Sequence, residues 1–313
     1  MEKIALIGSG LIGTGWGIVF SESGRHPVLF DTDRNATDKA LIEIQESLNH
    51  LNDYGLIEES PEKIFSRIST STSIEDAIDG AVHVQESIPE RAELKKSLFE
   101  KLDKIVPDDV TIASSTSTIP ISSFTEHLSG RARCIVLHPG TPPHLLRLVE
   151  IVPSPWTAPE VITSSKILME ECRQATSVLK KEIQGFVLNR IQYAVISEVY
   201  RLWEDDVAGI EDIEKTVREA LGLRWSFMGA METISLNAPG GVPDYNERYG
   251  NWVNEINATQ QARPWKGDAI KRLDNERLKS APVVNNSDRR NWRDKRLMAL
   301  LAHKRERSKI EGD

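Results

Sequence analysis

The feature that most constrains this chain is a glycine-rich segment close to its first residue. Residues 4–13 read Ile-Ala-Leu-Ile-Gly-Ser-Gly-Leu-Ile-Gly, so an apolar run leads into three glycines spaced Gly-x-Gly-x-x-Gly. A second apolar run, Pro-Val-Leu-Phe, ends at Asp31. A strand, a glycine turn, a helix and a second strand ending in a carboxylate form the pattern of a βαβ dinucleotide-binding unit.

Each part of this segment has a physical role toward a dinucleotide. Gly8 permits a tight turn, Gly10 lets the backbone approach a pyrophosphate, and Gly13 lets the helix pack closely on the strand. The helix N-terminus offers unpaired N–H groups to phosphates. Asp31 can accept hydrogen bonds from both ribose hydroxyls and would repel a 2′-phosphate, which favours NAD over NADP. We therefore predict an NAD site formed by Gly8, Gly10, Leu11, Ile12, Gly13 and Asp31; the alternative is a glycine turn in another kind of α/β protein.

Composition narrows the class of protein. The chain has 313 residues, 39% of them apolar and 27% charged, which fits a soluble protein of two domains. The net charge of −8 argues against binding to nucleic acid or to an anionic membrane. Cys134 and Cys172 form no metal-binding or redox pattern, so we expect no metal and a reducing compartment. The first strand leaves no room for a signal peptide, and we expect a cytoplasmic location.

The order of predicted elements indicates the architecture. Strands predicted over 82–88, 110–113, 134–137 and 148–152 alternate with helices such as 36–53 and 93–102, which is typical of a doubly wound parallel sheet. From Gly185 onward the pattern is helical. We predict an α/β protein with a Rossmann-type NAD-binding domain over 1–183 and an all-helical domain over 184–313. The basic stretch Trp292–Leu301 fits a docked terminal helix better than a membrane-surface helix.

Three polar features lie at or near predicted strands, on the side of the predicted sheet where strands end. They are the run Ser114–Thr118, His138 and Glu150. Because ligands bind at the carboxyl ends of strands in such sheets, these side chains are expected to lie near the cofactor. A carboxylate bonded to an imidazole fixes its tautomer and raises its basicity, which is what the oxidation of an alcohol requires of a base. A structural histidine at a His-Pro turn fits the same residues.

A series of short motifs extends along most of the chain in a matching order and spacing: Gly8–Gly13, Glu86–Glu90, Ser114–Ser117, His138–Pro143, Leu148–Glu150, Gly185–Arg190, Gly222–Trp225, Leu236–Ala238 and Asn291–Asp294. In these motifs the chain resembles the 3-hydroxyacyl-CoA dehydrogenase superfamily, and within it the L-gulonate 3-dehydrogenase/lambda-crystallin branch. The resemblance implies that His138 is the general base and Glu150 its partner. It also implies that Ser117 and Asn189 bond the substrate oxygen and help to place His138, in a cleft between the two domains.

The resemblance also implies residues of the cofactor site, and one position of the chain departs from the family pattern. It implies that Glu90 lies near the nicotinamide end of NAD and that Lys95 reaches the ribose region; a solvated helix face is the alternative for Lys95. The family usually has Asn three residues after the catalytic histidine, where this chain has Thr141. Since a threonine hydroxyl is shorter than an amide, the substrate geometry at this point is expected to differ.

The charge of the segment after the second strand bears on whether the substrate is a CoA thioester or a free acid. Acyl-CoA members of the family bind CoA phosphates partly with basic residues on the helix after the second strand. In this chain that region carries an acidic excess, which would repel a CoA phosphate unless CoA lies elsewhere: Glu43, Glu46, Asp53, Glu58, Glu59 and Glu62 against Lys63. A free carboxylate prefers an arginine, for which Arg224 is the first candidate and Arg248 the second, with a structural salt bridge as the alternative for each.

We therefore predict NAD-dependent oxidation of a small L-3-hydroxy acid, with L-gulonate going to 3-dehydro-L-gulonate as the preferred substrate. The alternatives are an L-3-hydroxyacyl-CoA dehydrogenase, a dehydrogenase of L-carnitine or 3-hydroxybutyrate, and a crystallin-like structural protein that binds NAD. The resemblance further implies a homodimer formed through the helical domain.

Overall fold

Short apolar segments in the first 178 residues form one eight-stranded sheet in the computed structural model, which describes residues 1–280 and 286–311. The strands are β1 (Lys3–Ile7), β2 (His26–Phe30), β3 (Ser69–Ser71), β4 (Ala81–Glu86), β5 (Thr111–Ser114), β6 (Cys134–Pro139), β7 (Leu148–Pro153) and β8 (Ala175–Val178). Their order across the sheet is β3-β2-β1-β4-β5-β6-β7-β8. The reversal of order between β1 and β4 creates the crevice in which doubly wound proteins bind ligands.

Helices cover both faces of the sheet, and the described elements after β8 are all helices. They are α1 (Leu11–Glu22), α2 (Arg34–Asp53), α3 (Pro61–Phe65), α4 (Ile74–Ile78), α5 (Ala92–Ile105), α6 (Ser122–Thr125), α7 (Pro159–Glu171), α8 (Leu188–Glu204), α9 (Ile210–Thr216), α10 (Leu223–Trp225), α11 (Ala230–Ser235), α12 (Gly241–Thr259), α13 (Gly267–Ser280) and α14 (Asn286–Glu311). The predicted class, a Rossmann-type sheet followed by an all-helical domain, is confirmed.

The sheet is not parallel throughout, in contrast to the prediction. β6 and β7 pair antiparallel, and β8 runs parallel to β7. The connection over residues 140–147 is too short for the crossover of about a dozen or more residues that parallel strands need. This hairpin places residues of β6 and β7 directly opposite each other. The helix α7 and the strand β8 were not predicted.

Alternation along the strands builds an apolar layer on each face. On β1, Ile4 and Leu6 belong to one buried cluster and Ala5 and Ile7 to the other. The first cluster packs against α1, α2, α7 and α14, and the second against α4, α5 and α6. The two apolar layers hold the sheet in place between the helices, and the parallel strands from β1 to β6 all end at one edge of it.

The chain divides into two compact units. One contains Met1–Asn189 together with the C-terminal segment that begins at Ser287, and the other is Arg190–Asn286. The predicted domain division placed the whole C-terminal segment in the helical domain, whereas α14 packs on the sheet unit. Met298 is 2% exposed within the first cluster, and Arg305 donates to the carbonyl oxygens of Gly55 and Leu56. Its apolar side is thus docked, as its pattern favours.

The second unit is helical and presents many large apolar side chains to solvent. Phe227 is 66% exposed, Leu236 70% and Trp252 62%. Over the described ranges, none of the helices has both the length and the hydropathy that a membrane span requires. The cytoplasmic location stays a prediction.

Candidate active site

The glycine turn between β1 and α1 has the geometry that its sequence predicts. Gly8 has φ +103°, and a Cβ there would lie 2.7 Å from the Ser87 carbonyl oxygen. A Cβ at Gly13 would lie 1.9 Å from the Gly8 carbonyl oxygen, so the helix can pack this closely only without a side chain. Gly10 precedes α1 and caps it with no side chain, and a Cβ there would meet nothing within 4 Å. The first turn of α1 therefore offers its N–H groups to open space, which fits a pyrophosphate.

Asp31 is held at the end of β2 beside this turn. Its Oδ2 accepts a hydrogen bond from the Ser9 N–H at 2.8 Å, and its Oδ1 accepts from the Asp33 N–H at 3.0 Å. Leu11 is half exposed, while Ile12 packs against the first apolar cluster. The residues present thus fit the adenosine ribose and the phosphates of NAD.

A cavity of about 620 Å³ opens beside the glycine turn. Ser9, Gly10 and Leu11 line one side, and α2, α14 and the β6–β7 connection supply the others. The C-terminal motif Asn291–Asp294 reaches it through Asn291, Arg293 and Asp294. The last helix therefore forms part of the wall around the predicted cofactor site.

His138 and Glu150 form a buried pair. They are opposite each other in the β6–β7 register, and His138 Nδ1 lies 2.8 Å from Glu150 Oε2. Only 4% of His138 and 1% of Glu150 is exposed. Since Nδ1 is engaged by the carboxylate, Nε2 is the nitrogen that can accept a proton from a substrate.

The second oxygen of Glu150 anchors the beginning of α8. Oε1 accepts hydrogen bonds from the N–H groups of Val187 at 2.8 Å and Leu188 at 2.9 Å. The chain reaches this position through Gly185 and Phe186, which both have positive φ, at 76° and 49°. The Phe186 ring then lies 5.5 Å from the His138 ring, centroid to centroid.

These contacts decide the charge of Glu150. Burial alone would raise its pKa, but the hydrogen bonds from His138, Leu188 and Val187 outweigh burial and hold the pKa below the usual value. Glu150 is therefore an anion at neutral pH. It can stabilise an imidazolium on His138, as a base partner must.

Ser117 and Asn189 meet next to this pair. Asn189 Nδ2 donates to the Ser117 carbonyl oxygen at 2.7 Å. Asn189 directly follows Leu188, whose N–H binds Glu150, so the start of α8 joins the Ser117 loop to the His138 pair. Among the described residues the Ser117 hydroxyl has no protein partner, which leaves it available to a ligand.

Glu90 holds the loop in which Ser117 lies. Its Oε1 accepts from the Thr116 hydroxyl at 2.7 Å and from the N–H groups of Ser117 at 2.9 Å and Thr118 at 3.0 Å. Burial opposes ionisation, yet these bonds and the nearby Lys95 keep the pKa of Glu90 below its usual value. Glu90 thus shapes the loop directly.

Lys95 is buried rather than solvated. It is 1% exposed, and its Nζ lies 2.8 Å from Glu86 Oε1 and 3.4 Å from Glu90 Oε2. Glu86 also accepts from the Ser114 hydroxyl and from the Ile88 N–H. Burial raises the pKa of Glu86 despite these partners. The solvated-face interpretation of Lys95 is therefore wrong, and its contact with a ribose stays a prediction.

Sequence reasoning missed Glu86 and Phe186 as parts of this site. Glu86 ends an otherwise apolar strand, where a carboxylate needs a partner, and this is a usable signal. Phe186 carried no such signal, because its positive φ is visible only in the structure.

Three further residues singled out from the sequence are Arg224, Arg248 and Thr141. Arg224 belongs to the second compact unit, on α10, and is exposed; its Nε donates to the Ala220 carbonyl oxygen. Arg248, the second candidate, is bound to Asp244 at 2.6 Å on α12. Thr141 is exposed in the β6–β7 connection.

Comparison with known proteins identifies the family. Residues 3–183 match the 3-hydroxyacyl-CoA dehydrogenase, NAD binding domain, and residues 185–266 match the corresponding C-terminal domain. A lambda-crystallin homolog of Rattus norvegicus is 37% identical over 302 residues, which is 95% of this chain and 94% of the relative. An L-carnitine dehydrogenase of Oceanobacillus iheyensis is 33% identical, over 80% of this chain and 81% of the relative.

A solved structure shares the whole fold. The NAD⁺-dependent dismutase 5-formyl-3-hydroxy-2-methylpyridine 4-carboxylic acid 5-dehydrogenase superposes with a TM-score of 0.82 at 24% identity, covering 100% of this chain and 99% of that one. The fold, the glycine turn with its Asp31 and the two matched domains lead to one conclusion: the chain belongs to the 3-hydroxyacyl-CoA dehydrogenase family and is an NAD-dependent oxidoreductase.

Proposed function

We propose that the protein oxidises the 3-hydroxyl of a small L-3-hydroxy acid to the 3-keto acid, with L-gulonate as the substrate. The observation that supports this most directly is the buried His138–Glu150 pair beside the free Ser117 hydroxyl. NAD⁺, when bound, supplies the hydride acceptor. His138 Nε2 takes the proton of the substrate hydroxyl, and Glu150 stabilises the charge that forms on the ring. Ser117 and Asn189 hold the substrate oxygen.

The surroundings of α2 support a free acid over a CoA thioester. Glu58 pairs with Arg173 and Arg305, and Glu59 pairs with Lys63 and Arg67. Two cations offset each of these carboxylates, so the repulsion of a CoA phosphate depends on the other acids of the segment, such as Glu46, Asp53 and Glu62. α14 contacts the residues that follow α2, because Arg305 donates to the carbonyl oxygens of Gly55 and Leu56. A CoA group approaching here would meet α14 as well as the acidic segment.

A carboxylate-binding arginine completes the proposal. Within the described part of the chain, the Arg224 side chain makes one hydrogen bond, from Nε to the Ala220 carbonyl oxygen, which leaves most of the guanidinium available to a ligand. Arg248 is already neutralised by Asp244. Arg224→Met should raise KM for a free acid at least about tenfold, since a charge-assisted hydrogen bond contributes about 1.5 kcal/mol or more. An unchanged KM would remove Arg224 from the site.

The exposed apolar side chains of the second unit support a homodimer formed through this unit. Trp252 and Ile256 are one turn apart on α12 and are 62% and 56% exposed, so they form neighbouring apolar surface, which commonly marks an interface. Sedimentation equilibrium of the purified chain should give twice the monomer mass, and Phe227→Glu should shift the distribution toward the monomer. A monomer at all concentrations would contradict this part of the proposal.

The substrate test is a parallel assay of NADH formation. L-gulonate, L-3-hydroxybutyrate, L-carnitine and L-3-hydroxybutyryl-CoA are each offered with NAD⁺. Turnover of L-gulonate in preference to the others supports the proposal, and preference for the thioester or for L-carnitine contradicts it. His138→Gln should abolish turnover while NADH still binds. A wild-type chain that binds NADH but oxidises none of the four would instead support the crystallin-like alternative.

A further inference from the structure

A chain of buried hydrogen bonds connects α1, β4 and β5 beneath the glycine turn. Trp16 Nε1 lies 3.0 Å from the Ser115 hydroxyl oxygen, and Gln85 Nε2 lies 2.7 Å from the same oxygen. The Ser87 hydroxyl oxygen lies 3.0 Å from it. Neither the family motifs nor the mechanism above gives these four residues a role.

The chemistry of the donors fixes the direction of this chain. An indole N–H can only donate, so Trp16 occupies one lone pair of the Ser115 oxygen. Gln85 Oε1 faces His83 Nε2 at 3.1 Å, and burial lowers the pKa of His83 to about 4, so a neutral imidazole donates to that oxygen. The Gln85 NH₂ group then donates to Ser115 and occupies its second lone pair.

Ser115 is left with one way to use its own hydrogen. Both of its lone pairs are occupied, so its O–H donates to Ser87, which is its remaining side-chain neighbour among the described residues. Ser87 accepts this bond, and its own O–H remains available as a donor. Ser87 is partly exposed, so this hydrogen can reach a ligand.

The position of Ser87 indicates which ligand atoms it meets. It follows β4, and its Cβ lies 4.0 Å from the site of a Cβ on Gly13, in the first turn of α1. The crevice between β1 and β4 is where the middle of a dinucleotide lies. Asp31 directly follows β2, which lies on the opposite side of β1 from β4. Ser87 therefore faces the half of the cofactor that is remote from the adenosine ribose.

We propose that the Ser87 hydroxyl donates a hydrogen bond to the nicotinamide half of NAD, to its phosphate or its ribose oxygen, and that Trp16, Gln85 and Ser115 orient this donor. Acceptor oxygens are present at both positions of the cofactor. This inference depends on NAD binding alone and holds whichever hydroxy acid is the substrate.

Calorimetric titration of the purified full chain with NADH, ADP-ribose and AMP tests the inference. Ser87→Ala should raise the Kd for NADH and for ADP-ribose about three- to tenfold, the usual range for one hydrogen bond. The Kd for AMP, which lacks the nicotinamide half, should not change. Ser66→Ala, which removes an exposed hydroxyl that donates to the Lys63 carbonyl oxygen, is the matched control and should leave all three Kd values unchanged.

A second variant tests the orienting role of Ser115. Ser115→Ala should weaken NADH binding in the wild-type background and should have no further effect when combined with Ser87→Ala. An unchanged NADH Kd in Ser87→Ala, an equal loss of AMP binding, or additive effects of the two substitutions would each overturn the proposal.

Discussion

His138 and Glu150 are directly opposed on antiparallel neighbouring strands, which places both side chains on the same face of the sheet. A slip of one residue in this register would turn one of them to the other face. The hairpin thus builds the base and its partner together. The same carboxylate then binds the N–H groups that begin α8.

Replacing this carboxylate should separate catalysis from cofactor binding. Glu150→Gln keeps the size of the side chain but removes the charge that supports the imidazolium. We expect kcat to fall at least about 100-fold, the lower range for general base catalysis, while the Kd for NADH stays the same. Steady-state kinetics and NADH titration measure the two effects. Glu62→Gln, an exposed substitution on α3, is the control, and a kcat equal to that of the control would contradict the assigned role.

The buried Lys95–Glu86 pair should dominate the stability of its region. Lys95→Met leaves the Glu86 carboxylate buried without its cation, which is expected to lower the free energy of unfolding by about 3–5 kcal/mol. Adding Glu86→Gln removes the uncompensated charge and should restore part of the loss. Urea unfolding of the two variants checks this. Equal stability of the single and the double variant would show that the charge is not the cause.

Asp31 should decide between NAD and NADP. Asp31→Asn keeps an oxygen for the Ser9 N–H but removes the charge that repels a 2′-phosphate. The ratio of kcat/KM for NAD⁺ to that for NADP⁺ should fall at least about tenfold, or about 1.4 kcal/mol. Asp33→Asn, two residues further at the start of α2, should leave this ratio as it is. An unchanged ratio in Asp31→Asn would assign the preference to other residues.

Two buried histidines should make the protein less stable in mild acid. Burial lowers the pKa of His83 to about 4, and burial together with Arg147 and Arg293 lowers that of His144 to about 4, from an ordinary 6.5. The unfolded chain therefore binds more protons between these values. The stabilisation is complete above pH 6.5 and is lost as the pH falls toward 4. We expect a loss of about 2 kcal/mol per histidine between about pH 7 and about pH 5.

Denaturant unfolding at the two pH values measures this loss. His144→Asn should remove about half of the loss, because one of the two histidines no longer titrates. His127→Asn is the matched control, since His127 is exposed and bound to Glu100. A pH dependence that is the same in all three proteins would contradict the prediction.

The sequence predicts those parts of the site that depend on neighbours along the chain. The glycine turn and Asp31 follow from residues at strand ends, and the sequence also pairs His138 with Glu150, although Glu150 lies within β7. The strand β8 is not predicted, because its segment Ala-Thr-Ser-Val is too short and not apolar enough to indicate a strand at the sheet edge. The antiparallel direction of β7 could be predicted only if residues 140–147 were known not to form a crossover connection.

Contacts between distant elements are the part that the sequence does not reveal. Lys95 lies on a charged helix, and its burial results from the carboxylates of Glu86 and Glu90 that close over it. The same holds for Ser115, whose partners lie 28, 30 and 99 residues away. A pattern of polarity indicates which side chains face inward but not which of them meet.

The docking of α14 has a consequence for the order in which the molecule is made. Arg305 meets Gly55 across 250 residues of sequence, and Arg190–Asn286 form their own unit in between. During synthesis, domains fold largely in the order in which they emerge. The wall beside the glycine turn therefore cannot be completed until the helical unit has left the ribosome and α14 has followed it. A nascent chain that ends before α14 lacks one wall of this cavity. Full retention of the cofactor therefore indicates that α14 has been synthesised.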